Sequence, residues 1–257
     1  MPDKIYFHRA GHGEPLLLLH GFCETHEVWN RFVNQLKNQF NVVAVDLPGF
    51  GQSSLPAGNF SLEEVAASIR QQLEQLEWKQ FVVVGHSLGG YVALAMARFY
   101  PELLKGLVLF HSTALEDSPE KKESRSKVME FLQLHGAEAF IKPFVPPLFY
   151  NPQHPAIPEV VDIALRGSRV ETLIQYTRAM RERPDSSPVL SDFGHPILFL
   201  AGQKDSTIPA ESLYNQALTC KKGTFLLLPE VAHMGMFEAP ALTLPAIELF
   251  SRFCYNR

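Results

Sequence analysis

Short apolar runs alternate with longer segments of helical period along most of the chain. Ile5 to His8 and Pro15 to His20 read as strands, and Glu27 to Lys37 follows as a helix with Val28, Phe32, Val33 and Leu36 on one stripe. Asn41 to Asp46 is the next strand. Ser61 stands ahead of Val65, Ile69, Leu73 and Leu76 at helical spacing, and Glu64, three residues on, completes a capping box. Phe81 to Val84 then reads as a buried strand, Tyr91 to Phe99 as a helix stopped by Pro101, and Gly106 to Phe110 as another strand. The rhythm resumes late in the chain with the strand Pro196 to Ala201, a helix near Ala210 to Leu218, the strand Thr224 to Leu228 and a last helix from Pro240 to Phe253. Such alternation predicts an α/β fold: a mostly parallel, doubly wound sheet of seven to eight strands covered by helices.

Between about Ser112 and Asp192 the pattern breaks into short helical pieces separated by prolines, from Pro119 to Pro188. This predicts a core made of residues 1–111 and 193–257 and an insertion at 112–192. The mixed-sign run from Glu116 to Lys127 reads as a solvated helix face. The aromatic, proline-rich stretch from Phe140 to Tyr150 suits either a small core within the insertion or the roof of an apolar pocket. Phe144, Phe149 and Tyr150 are therefore the pocket candidates.

Composition narrows the function classes. The 257 residues are 46% hydrophobic with a formal charge of -4, which offers no basic footprint for a polyanion and argues against a nucleic-acid partner. Apolar stretches such as Pro15 to Leu19 fall far short of the roughly 18 residues a membrane span needs. No apolar leader precedes the first polar residues, so a cytoplasmic protein is expected. Three cysteines, Cys23, Cys220 and Cys254, suit neither a disulfide framework nor a thiol zinc site. His-Glu-x-x-His is absent, and no metal is expected.

The chemistry concentrates at Gly85-His86-Ser87-Leu88-Gly89-Gly90, which directly follows a strand and opens a helix. G-x-S-x-G arises by chance in roughly one chain of this length in ten, so its placement does the discriminating. A serine on so sharp a turn needs flanking glycines for the strand and helix to approach. Its hydroxyl needs an imidazole to take the proton and a carboxylate to orient that imidazole. Asp205 follows the strand ending at Ala201, and His233 follows the strand ending at Leu228, so both stand at strand C-terminal edges facing one crevice. The strand Pro15 to Leu19 runs into His20-Gly21-Phe22. The backbone N–H groups of Phe22 and Leu88 are the candidate donors to an oxyanion. His20 and His86, beside them, are assigned structural hydrogen bonds rather than proton transfer.

On these residues, with Asp46-Leu-Pro-Gly-Phe-Gly-Gln-Ser53, the sequence resembles a lid-bearing member of the α/β-hydrolase superfamily. The resemblance implies Ser87 as nucleophile, His233 as base, Asp205 as orienting acid, Phe22 and Leu88 as oxyanion hole, and 112–192 as lid. It implies no cofactor and a small-molecule substrate. Relatives that take their acid from the earlier strand make Glu116 and Asp117 the alternative to Asp205. Members usually carry an extra strand before the first one here, and this chain starts too late to supply a full one, so seven strands are expected as an alternative to eight. The favoured expectation is hydrolysis of a carboxylic ester with an apolar portion. The alternatives are same-triad carbon–carbon bond hydrolysis or perhydrolysis, and a non-catalytic ligand receptor on the same scaffold.

Overall fold

The computed structural model describes residues 4–256, so Met1 to Asp3, part of the stretch read for a leader, and Arg257 lie outside the described residues. Seven strands form one sheet: β1 (Phe7–Ala10), β2 (Glu14–Leu19), β3 (Phe40–Val45), β4 (Phe81–His86), β5 (Leu104–Phe110), β6 (Ile197–Gly202) and β7 (Gly223–Leu228). Their spatial order is β1-β3-β2-β4-β5-β6-β7. β1 runs antiparallel to β3, and every other pairing is parallel. The central strands are continuous apolar runs, Leu16 to Leu19 and Val82 to Val84 among them, because helices cover both their faces and leave no wet side for polar residues. Chain order reverses direction across the sheet at β2 and β4. That reversal opens a crevice at the C-terminal ends of these strands.

The core helices are α1 (Asn30–Leu36), α2 (Leu62–Leu73) and α3 (Leu88–Phe99). α2 starts as its sequence predicts: Ser61 Oγ accepts from Glu64 N, and Glu64 Oε2 accepts from Ser61 N at 2.7 Å. α3 begins at Leu88 rather than Tyr91, so Gly89 and Gly90 form its first turn. They are glycines because of what faces them. A Cβ on Gly89 would lie 2.3 Å from the Leu19 carbonyl oxygen, and one on Gly90 2.2 Å from Ser112 Oγ.

Between β5 and β6 lie α4 (Pro119–Phe144), α5 (Ile157–Gly167), α6 (Val170–Glu182) and α7 (Ser187–Asp192). The first of these is two helical segments joined at Gly136, whose φ of 81° and ψ of 175° lie outside the helical range, so the insertion is built of several helical pieces. α4 packs on α6. The solvated-face reading of Glu116 to Lys127 fails in part. Asp117 is only 2% exposed and is ion-paired with Arg125 and, at 2.9 Å, with Arg183. The chain closes with α8 (Ala210–Thr219), the short α9 (Gly235–Glu238) and α10 (Pro240–Tyr255), which packs on β5 through Phe250 and Cys254 against Gly106.

Candidate active site

Ser87 sits between β4 and α3 with φ 49° and ψ -114°, a left-handed conformation that L side chains resist. Hydrogen bonds to its backbone from outside α3 hold it there. Its N–H donates to the Phe110 carbonyl at 3.0 Å, and Ser112 Oγ donates to its own carbonyl at 2.7 Å. Leu88 N is the first amide of α3, where the helix dipole favours negative charge.

Asp205 and His233 arrive from the loops after β6 and β7 and meet side chain to side chain, with His233 Nδ1 2.7 Å from Asp205 Oδ2. The other carboxylate oxygen accepts from Thr207 N at 2.8 Å and Ile208 N at 3.0 Å. Burial by itself would raise the Asp205 pKa, but the charge and hydrogen bond of His233 outweigh it and hold the carboxyl at about 2. Glu116 and Asp117 are engaged elsewhere, Glu116 with Lys122 and Asp117 with its two arginines.

Ser87 and His233 line one cavity of about 190 Å³ with Phe22, Phe140, Phe144 and Leu148. Of the three aromatic pocket candidates, Phe144 is in its wall. Phe149 and Tyr150 are not. Phe149 is buried against His154 and Phe237, and Tyr150 is 48% exposed with Lys204 over its ring. Helix periodicity ends before this segment: a short helical turn at Pro146–Leu148 intervenes and Phe149 is already extended, so helical spacing from Phe144 no longer sets which way these side chains face.

His20 ties the Phe22 loop to the sheet. Its Nδ1 lies 2.8 Å from the Gly21 carbonyl, and its Nε2 accepts from Leu47 N at 3.0 Å. Burial lowers its pKa, consistent with a neutral ring whose proton is on Nδ1. His86 differs. Both its nitrogens face acceptors, Nδ1 the Glu24 carboxylate at 3.1 Å and Nε2 the His233 carbonyl at 2.9 Å, which requires a proton on each. Burial opposes that charge, and the Glu24 carboxylate reverses the balance and raises the pKa.

Glu24 also accepts from Gly21 N at 2.6 Å, so one buried ion pair joins the Phe22 loop, the residue before Ser87 and the backbone of His233. Sequence reading missed Glu24. An acid three residues past the loop glycine was the available signal. Glu238 was missed too. Its carboxylate accepts from Tyr150 N at 2.7 Å and from Ala232 N and Met234 N at 3.1 Å each, and so brackets His233. His111 lies with Nδ1 3.6 Å from Asp205 Oδ2, but that nitrogen accepts from Gly202 N, and burial pushes its pKa well down. Among the described residues no group of three or more His, Cys, Asp or Glu is arranged to hold a metal ion, and no helix is long and apolar enough to cross a membrane.

The family model for the alpha/beta hydrolase fold matches residues 14–133. A thermophilic esterase from Thermogutta terrifontis, solved with malate bound, superposes with a TM-score of 0.93 at 32% identity, covering 98% of this chain and 94% of that one. The chain belongs to the α/β-hydrolase superfamily. Among curated proteins, a serine hydrolase-like protein of Danio rerio is 41% identical over 100 residues, 38% of this chain and 31% of that protein. The dihydrolipoyllysine-residue acetyltransferase component of the acetoin cleaving system of Pseudomonas putida is 29% identical over 238 residues, 88% of this chain and 60% of that protein. The match thus spans less than two thirds of either relative's length.

Proposed function

We propose that this α/β-hydrolase is a serine hydrolase that cleaves a small carboxylic ester with an apolar portion through an acyl-enzyme. The observation that carries the reading is the strained Ser87 turn opening into the same cavity as His233, whose Nδ1 is held by Asp205. With Nδ1–H committed to Asp205, Nε2 is the free base. It takes the Ser87 proton as Oγ bonds to the ester carbonyl carbon. The charge that forms on the carbonyl oxygen is met by the N–H groups of Phe22 and Leu88. Collapse breaks the acyl–oxygen bond while His233 returns the proton to the leaving alkoxide. Water, deprotonated by the same nitrogen, then releases the acid and restores Ser87.

Residues 112–192 act in this reading as a lid, supplying Phe140, Phe144 and Leu148 to the cavity. The lid touches the base directly: His233 N donates to the Leu148 carbonyl at 2.9 Å. A cavity of about 190 Å³ is below the roughly 300–1,000 Å³ of sites for drug-sized ligands, which favours short acyl chains. The test is hydrolysis of p-nitrophenyl acetate and butyrate by the wild type and Ser87→Ala, with fluorophosphonate labelling alongside. Turnover should drop by about 10⁴-fold or more, and labelling should vanish. Equal rates in the two proteins would refute the proposal.

A further inference from the structure

The wall of the cavity that Ser87 lines is not purely apolar. Lys121 and, one turn further along α4, Ser124 and Arg125 line it, and Thr207 lines it from the Asp205 loop. Three cations, Lys121, Arg125 and Arg183, surround the single carboxylate of Asp117. Both arginines are committed to that carboxylate, and Arg183 also donates to the Met180 and Leu115 carbonyls and lies under the Tyr91 ring. Lys121 has no carboxylate within ion-pair distance among the described residues. Its Nζ makes one long hydrogen bond, 3.4 Å to the Thr207 carbonyl.

Its position is also costly locally. Lys121 lies in the first turn of α4, whose amides and dipole carry positive charge, a place where acidic residues stabilise and cations do not. Partial burial works against the ammonium as well and pulls its pKa down. A half-buried cation set against its helix dipole, lining a cavity and sharing the Asp117 carboxylate with two arginines that pair with it directly, breaks local rules in a way that function explains and packing does not.

We propose that Lys121, with the hydroxyls of Ser124 and Thr207, forms a subsite for a carboxylate on the substrate, so that the preferred ester carries a free carboxylate away from the scissile bond. This rests on the ester-hydrolase reading. The apolar wall of Phe140 and Phe144 then holds the carbon chain between the two ends. One ammonium flanked by two hydroxyls suits a singly charged planar anion, which takes a charge-assisted bond from the lysine and neutral ones from the hydroxyls.

Two matched ester pairs test it, one with the charge on the acyl side (mono-p-nitrophenyl glutarate against p-nitrophenyl pentanoate) and one with it on the alcohol side (4-acetoxybenzoate against 4-acetoxybenzamide). The wild type should favour the charged member of at least one pair in kcat/KM by about tenfold, mostly through KM. Lys121→Met should abolish that ratio, and Lys122→Met, whose ammonium pairs with Glu116, should keep it. In parallel, calorimetry should show glutarate binding Ser87→Ala about tenfold more tightly than Ser87→Ala/Lys121→Met. Brisk hydrolysis of neutral esters with no charge preference, or a preference surviving in Lys121→Met, overturns the subsite and leaves the hydrolase reading intact. Absent hydrolysis with Lys121-dependent glutarate binding overturns the hydrolase reading and leaves the anion site. If hydrolysis and binding are both absent, both fall.

Discussion

Replacing Asp205 by asparagine separates an orienting carboxylate from a merely buried one. The carboxyl is fully buried, accepts two backbone amides and His233 Nδ1, and has a pKa of about 2 against an ordinary 3.8. A depression of that size corresponds to about 2 kcal/mol of folding stability. The sign follows from its direction. Because the folded pKa is the lower one, the stabilisation is fully present above 3.8 and is lost as pH falls through about 2. The asparagine amide cannot ionise, so the stability gap between wild type and variant should be near 2 kcal/mol at pH 7 and shrink steadily between pH 4 and pH 2. Urea unfolding of the two proteins at pH 7, 5, 3.5 and 2.5 measures it. On the catalytic side, the amide removes the charge that supports an imidazolium, and kcat should fall by about 10³- to 10⁴-fold with KM little changed. A stability gap that is constant across this pH range, or a kcat within tenfold of wild type, would show that the charge of Asp205 does not act on His233 as argued.

Glu24→Gln strips the buried counter-ion from His86 and should destabilise the protein by about 3 kcal/mol near pH 6. His86 has a raised folded pKa, so the pair's stabilisation is present below 6.5 and fades as pH rises through that raised value. The gap to wild type should therefore be smaller at pH 9 than at pH 6, and chemical denaturation giving equal gaps would contradict an ionised pair. Gly89→Ala gains about 1 kcal/mol of helix propensity. It also sets a Cβ 2.3 Å from the Leu19 carbonyl oxygen, a backbone atom that cannot swing aside. Overpacking should win, lowering the melting temperature by roughly 2 to 4 °C for each kcal/mol of net loss, whereas a rise in a thermal scan would mean that β2 and α3 can move apart.

What could be read from the chain alone was whatever depends on neighbours in sequence. The strand runs, the Ser61 capping box and the glycines around Ser87 are local demands, so each showed at its own position. The convergence of Asp205 and His233 was legible for a related reason, since in a parallel sheet the segment after every strand leaves at the same edge. Tertiary structure alone decided what faces what. Glu24 and His86 are 62 residues apart, and no spacing rule joins them into the ion pair that ties the Phe22 loop to the His233 backbone. The run from Glu116 to Lys127 has the charges of a solvated face whichever way its helix turns. Docking α4 over the cavity buried Asp117 between two arginines and left Lys121 facing the pocket. Phe149 and Tyr150 were misread because a helical pattern tells which residues share a face but not where a proline-broken turn releases the chain. Periodicity records a segment's own geometry. The polarity of the surface it will meet is set by distant residues, and only folding brings those together.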